Sequence, residues 1–186
     1  PFVYAAAIDQ LQLSPCDTFP DSQFCVEKNK FGNPEKWCPR NSGDKYGRTR
    51  TLKNALANSI NTVTARLIDK IGPKPVIKLA KNLGIEQRIL PVPSIALGTP
   101  DLSVYEMVAA YSAFANKGVY TKPILIEKIE DKNGTILFEY KRETKDVLSE
   151  EAAYVTVNLL EGVTQAGSGI RLRTSGATNN AYETVV

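Results

Sequence analysis

The run ALANSINTVTARL, residues 55–67, holds two patterns in conflict. Leu56, Ile60, Val63, Leu67 and then Ile71 recur at steps of four, three, four and four, the stripe of a buried amphipathic helix. Ser59 falls on that stripe and Asn61 sits two positions later. In an unbroken α-helix, residues two apart are rotated by about 200°, so the two side chains point to nearly opposite sides and serve no common ligand. If the chain turns or extends at Ile60, both fall on one side. The run is therefore either a continuous helix that tolerates a polar pair, or a helix–break–helix presenting a hydroxyl and a carboxamide together. In the second case Thr62 is placed to cap the second half. The letters S-x-N have two fixed positions and do not decide between these readings.

The flanks are plainer. Thr51 can cap a helix beginning at Leu52, and Gly72–Pro73 end the helical run. PKPVIKLAKNLG (73–84) reads as another helix, closed by Gly84. In LSVYEMVAAYSAFANKG (102–118), Ser103 and Glu106 form a capping box, and Leu102 and Met107 are spaced as a hydrophobic staple. Val104, Met107, Val108, Tyr111 and Phe114 are expected on one face of that helix, with Gly118 ending it. ILIEKIEDKNGTILFEY (124–140) sets Asn133–Gly134 between two β-rich runs, a strong hairpin signal with imperfect alternation. Ser149, followed by Glu150 and Glu151, starts a last helix, expected to run through Leu160 and close at Gly162.

Upstream, residues 2–13 look like the end of a helix. Residues 14–50 are broken by Pro15, Pro20, Gly32, Pro34, Pro39, Gly43 and Gly47. A loop that long inside a compact domain is uncommon and tends to be functional or ordered by short strands. The expected fold is α+β and helix-dominated, one domain over 1–186. It divides into 1–50 (helix end and irregular segment), 51–118 (helices with S-x-N), 119–145 (β-hairpin) and 146–186 (helix and Gly/Asn-rich tail).

Composition narrows the chemistry. The chain has 186 residues with 23 basic and 20 acidic side chains, a net charge of +3. The signs are interspersed, as in EKIEDKNG, so no basic stripe points to nucleic acid. No apolar run approaches the roughly 20 residues that span a bilayer. Histidine is absent, which excludes a Ser-His-Asp triad, a Cys-His pair and any His-ligated metal. Cys16, Cys25 and Cys38 lack a paired C-x-x-C, so no metal site is expected. Two of them can form a disulfide in an oxidising compartment, leaving one thiol over; three unpaired thiols fit the sequence equally.

Taken together, several stretches resemble the transpeptidase domain of bifunctional (class A) penicillin-binding proteins, over essentially the whole chain and in order. PFVYAAAI (1–8) looks like the continuation of that family's nucleophile helix, in which S-x-x-K is followed by Pro-Phe-x-Tyr. WCPRNSGDKYGRTRTLKNALANSINTVTARLIDKIG (37–72) is similar to the stretch leading through the family's S-x-N motif. PSIALGTPDLSVYEMVAAYSAFANKGVYTKPILIEKIEDKNGTIL (93–137) is close to its downstream run. The resemblance implies an acyl transfer without histidine or cofactor. A serine attacks a D-Ala-D-Ala stem peptide, releases the terminal D-alanine and passes the acyl group to an amine of a neighbouring stem. β-Lactams, as substrate mimics, leave a stable acyl-enzyme. By matching position, Ser59 would relay the proton to the leaving group, and Asn61 would hold the substrate amide and orient the nucleophile's lysine. Trp37, the only tryptophan, falls in the family's Trp-x-Pro-x-Asn stretch. It either contacts substrate along the cleft wall or packs within the loop.

The resemblance also implies what surrounds these residues. S-x-x-K would lie immediately before Pro1, so the chain is expected to be a truncated domain. RTSGATNN (173–180) nearly fits K-T/S-G-T, but Thr174 stands at the lysine position and no β-rich run precedes it; the motif is expected beyond Val186. On that reading the fragment is inert by itself. Its parent is a membrane-anchored synthase with a glycosyltransferase domain, working on peptidoglycan at the periplasmic or extracytoplasmic face. Two other readings fit the motifs: a D-Ala carboxypeptidase or serine β-lactamase relative, and a non-catalytic helical interaction module keeping the fold.

Overall fold

In a computed structural model of the chain, residues 1–174 are described. The centre is α1 (Phe2–Leu11), where every side chain from Val3 to Ile8 is buried. A helix apolar on all sides belongs inside a bundle. The short strands β1 (Thr18–Pro20) and β2 (Thr49–Thr51) pair antiparallel, Thr18 opposite Thr51. Around them run α2 (Leu52–Ala57), α3 (Asn61–Ile71) and α4 (Pro73–Asn82). Next comes α5 (Val104–Ala115), followed by β3 (Val119–Thr121), β4 (Lys128–Glu130), β5 (Ile136–Glu139) and β6 (Thr144–Asp146). The described chain ends with α6 (Glu150–Ala166) and α7 (Arg171–Thr174). α1 packs on α3, α4 and α6, and α2 lies along α6. Phe2 meets Tyr111 and Phe114 of α5 with ring centroids 5.8 and 5.9 Å apart, closing the bundle with an aromatic cluster. The fold is thus α+β and helix-dominated, as the sequence implies.

Capping places the helices as read. The Thr51 hydroxyl accepts from the Asn54 N–H, and the Ser149 hydroxyl from Ala152 N–H. At α5 the capping box is complete. Glu106 Oε2 accepts from Ser103 N–H and Oγ, while its Oε1 accepts from the N–H groups of Glu86 and Gln87. These bonds, led by those from Ser103, hold the Glu106 carboxyl below the usual carboxylate range. One side chain therefore starts α5 and ties the loop after α4 to it.

Three expectations change. The buried face of α5 is Glu106, Ala109, Ala110, Ala113 and Phe114, whereas Val104 and Val108 face solvent. Alanines let neighbouring helices approach closely, and that contact outweighs the bulk of the valines. Second, α6 does not close at Gly162 but continues to Ala166. Gly162 sits inside it, where a Cβ would touch the Lys53 side chain at 3.3 Å and the Ala57 Cβ at 3.6 Å. It is a packing position against α2, not a stop. Third, the Asn133–Gly134 hairpin of β4 and β5 forms, but two further two-stranded ladders accompany it, β1–β2 and β3–β6. Both strands of the hairpin are exposed throughout, and their register shifts at Ile129/Glu130. With neither face buried, no strict alternation is required of them.

The segment before β2 is ordered by cross-links more than by regular structure. Val26 and Trp37 exchange backbone hydrogen bonds at 2.8 and 3.0 Å, and the adjacent Cys25–Cys38 pair is a disulfide. Cys16 is free and exposed. Inside the loop so closed, buried Asn33 donates to the Glu27 and Glu35 carbonyls and accepts from Phe31 N–H. No described helix is long and apolar enough to cross a membrane.

Candidate functional site

The helix breaks where Ser-Ile-Asn begins. At the end of α2, Ser59 N–H bonds the Leu56 carbonyl (3.1 Å) and Ile60 N–H bonds the Ala55 carbonyl (2.9 Å). This is the crossed pair of a Schellman motif, with Ser59 at the position after the cap, in the left-handed region at φ 54°. Glycine is the usual occupant because it lacks the Cβ penalty. Ile60 then extends (φ −78°, ψ 102°) and α3 starts at Asn61. Of the two readings of the run, the helix–break–helix is the one present, and the serine and the asparagine leave the backbone from one turn instead of two helix faces.

Among the described residues, four other non-glycine residues have positive φ. Asn29 and Asp44 are types that tolerate it. Gln12 donates to the Asp9 carbonyl, and Lys117 pairs with Glu150. Ser59 differs: its exposed hydroxyl makes no hydrogen bond to the described residues. Asn61 is half-buried and donates from Nδ2 to the Arg40 carbonyl at 2.7 Å. A carbonyl can only accept, so the amide orientation is settled, and Oδ1 is left without a partner among the described residues. The turn thus carries a hydroxyl without a partner among the described residues and, two residues on, a fixed carboxamide whose acceptor oxygen is available.

Thr62 does not cap α3, contrary to expectation. Its backbone N–H is taken by Asn41 Oδ1 (3.1 Å), reaching in from the irregular segment, and its hydroxyl donates to Asp21 Oδ1 (2.9 Å). Ile60 has no side-chain acceptor, so the cap comes from 21 residues upstream. Asp21 is fully buried and accepts from four residues. Asn41 Nδ2 (2.6 Å), Thr62 Oγ1 (2.9 Å), Gly47 N–H (2.9 Å) and Arg50 Nε (3.0 Å) all converge on it. Burial pushes its carboxyl up, but the bonds from Arg50, Asn41, Thr62 and Gly47 together outweigh this and hold it below the ordinary range. Nothing local in TFPDSQF (18–24) marks Asp21 for this role, and sequence reading passes over it.

Trp37 is half-buried and packs on the hydrophobic core, with its backbone paired to Val26. Three residues further on lies the Arg40 carbonyl that holds Asn61, so Trp37 anchors the segment reaching the site. On the opposite flank, α1 is coupled to α3 by a 3.3 Å hydrogen bond between the Tyr4 and Thr64 hydroxyls. Each residue is one turn into its helix. Burial raises the Tyr4 hydroxyl to about 12, with the Thr64 bond opposing, so it stays neutral as a strut. The letters S-x-x-K occur at Ser42–Lys45, in a 3-10 turn where Gly43 has φ 64°. That conformation does not set a lysine one helical turn above a serine. Ser175–Asn180, most of the near-match to K-T/S-G-T, lies outside the described residues.

The sign of the Asp21 shift gives a testable pH dependence. A carboxyl whose folded value is lowered contributes stability above its unfolded value of about 3.9 and loses it as pH falls through the folded one. Asp21→Asn is therefore expected to destabilise most above pH 4. The gap from wild type should narrow as pH falls through the lowered value. Urea midpoints between pH 2 and 6 check this; a gap that widens with acid contradicts it.

The chain matches the family described as penicillin binding protein transpeptidase domain over residues 1–181. It belongs to that family. Among curated relatives it is 35% identical to penicillin-binding protein 1A of Aquifex aeolicus, covering 92% of this chain and 23% of that protein. It is 36% identical to penicillin-binding protein 1A of Clostridium botulinum, covering 90% and 21% respectively. Among solved structures, penicillin-binding protein 1A from Haemophilus influenzae superposes with a TM-score of 0.81 at 27% identity, covering 94% of this chain and 31% of that one. The chain therefore spans less than a quarter of the length of these curated relatives.

Proposed function

We propose that these residues form the S-x-N part of a serine D,D-transpeptidase that cross-links peptidoglycan stem peptides and is acylated by β-lactams. The observation that carries the reading is the Ser59–Asn61 turn. A serine occupies a left-handed helix terminus where glycine costs least, its hydroxyl unengaged, beside an asparagine whose amide is pinned. Ser59 relays the proton to the departing amine, since a hydroxyl donates and accepts at once. Asn61 presents its free Oδ1 to the activating lysine or to the substrate amide. The nucleophile and its lysine enter from the start of α1, whose first turn is tied to the first turn of α3 through Tyr4 and Thr64. Trp37 lines the approach to the turn. The Cys25–Cys38 disulfide fits an oxidising, extracytoplasmic compartment. The parent protein is membrane-anchored and carries a glycosyltransferase domain, in keeping with the length of its relatives.

Labelling the full-length protein with a fluorescent penicillin tests this. The expected result is a covalent, hydroxylamine-labile adduct that forms about a hundredfold more slowly in Asn61→Ala. A full-length protein that is folded yet stays unlabelled would overturn the transpeptidase reading in favour of an interaction module.

A further inference from the structure

We infer that Asp21 is a positioning residue for the Ser59–Asn61 turn, acting through Asn41 and Thr62; the inference rests on the transpeptidase reading above. The geometry is a short relay. Asp21 Oδ1 receives both Asn41 Nδ2 and the Thr62 hydroxyl, and Asn41 Oδ1 receives Thr62 N–H, closing a ring of three hydrogen bonds around the first turn of α3. Asn61 lies immediately before Thr62, and Arg40, whose carbonyl fixes the Asn61 amide, lies immediately before Asn41. Asn61 and the Arg40 carbonyl that fixes its amide thus each adjoin, in sequence, a residue held by the Asp21 carboxylate.

That carboxylate also cross-links the irregular segment to β2 and α3. It is buried and faced by two cations, Arg50 in contact and Arg66 close enough to feel its charge. A buried charge is retained at a desolvation cost unless it is paired and hydrogen-bonded, and Asp21 is both. Its donors come from residues 41, 47, 50 and 62, so its loss uncouples the irregular segment from the first turn of α3. Arg66 adds a second strap, donating to the Pro20 and Ser22 carbonyls and stacking over Phe24 with its guanidinium carbon 4.4 Å from the ring centroid. The stretch carrying Asp21 is therefore held rigid on both sides. A turn presented to a ligand has to be held to within about half an ångström by locked neighbours, and this ring is such a support.

A purely structural residue and a positioning one predict different outcomes. Thr62→Val keeps shape and burial but removes the hydroxyl that reaches Asp21; Thr62→Ser keeps it. Thr156 is a matched control, equally buried, with its hydroxyl bonded only within α6, to the Ala152 carbonyl. In the full-length protein, with fluorescent penicillin as probe, Thr62→Val is expected to slow acylation at least tenfold. Thr62→Ser should recover to within about twofold, and Thr156→Val, at an equally buried position, should stay within twofold. Asp21→Asn should slow acylation at least as much as Thr62→Val where it folds. Equal slowing by Thr62→Val and Thr156→Val makes the contribution one of general stability and overturns the inference. Wild-type rates in Thr62→Val and Asp21→Asn, with Asn61→Ala impaired, overturn it while leaving the transpeptidase reading intact. If Asn61→Ala itself labels at the wild-type rate, that reading of the turn fails and the inference with it.

Discussion

Ser59→Gly is expected to make the protein more stable and nearly inactive. The stabilisation follows from the backbone. At φ 54° a Cβ crowds the following carbonyl, and glycine removes that strain, a gain of about 0.5–1 kcal/mol in a helix-terminal left-handed position. For a domain of this size that is a rise of about 2–4 °C in melting temperature per kcal/mol. The loss of activity follows from the hydroxyl, since removing a positioned proton-transfer group typically costs about 10²–10⁴ in rate. Ser59→Ala separates the two effects: it loses the hydroxyl but keeps the Cβ, so acylation should fall as far while the melting temperature gains nothing. Calorimetry and penicillin acylation on the same full-length samples give both readouts. If both variants acylate at the wild-type rate, Ser59 is not the relay. If glycine lowers the melting temperature, the side chain supports something that the hydrogen-bond pattern does not reveal.

What the chain reveals without coordinates divides along the range of the interactions. Thr51, Ser103 with Glu106, Ser149 and Asn133–Gly134 act on residues within four positions, and each lies where its letters place it. The broken helix at Ser59 is only half legible: the letters pose a continuous helix against a break, and the Schellman bonds to Ala55 and Leu56 decide for the break. Family membership is legible from the order of several motifs. The cap of α3 is not, because its acceptor is Asn41 and its anchor Asp21, 21 and 41 residues from Thr62. Pairing within the cysteines needs the Val26–Trp37 bridge that brings Cys25 and Cys38 together. The choice of face on α5 needs its neighbours, since the alanine and valine stripes are both available to a 3.6-residue period. Glycines mislead in a particular way. Letters suggest a stop at Gly162, whereas α6 runs on through it, alongside Lys53 and Ala57 of α2.

The same distinction predicts opposite outcomes for two glycines near the end of α6. Gly167→Ala is expected to destabilise by about 3 kcal/mol or more, lowering the melting temperature by roughly 6–12 °C. The backbone is not the cause, since Gly167 has φ −121°, open to any residue. The cause is contact: an added Cβ would overlap the Ala57 carbonyl oxygen and lie 2.7 Å from its carbon. Backbone cannot swing aside as a side chain can. The hydrogen bond from Ser168 N–H to that same oxygen, 2.9 Å, would be lost with it, leaving a terminal carbonyl of α2 without its partner. Ala57 is the last residue of α2 before the Ser-Ile-Asn turn, so acylation should fall along with stability. At Gly162 the nearest atoms belong to the flexible Lys53 side chain, and the residue is helical. Gly162→Ala should therefore be neutral or stabilising by up to about 1 kcal/mol. Urea unfolding of the two variants checks the pair, and a Gly167→Ala midpoint equal to wild type would mean that the end of α6 is free to lift from α2. A loss at Gly167 with none at Gly162 would show that the turn is braced from behind by one close backbone crossing, as it is clamped in front by Asn41.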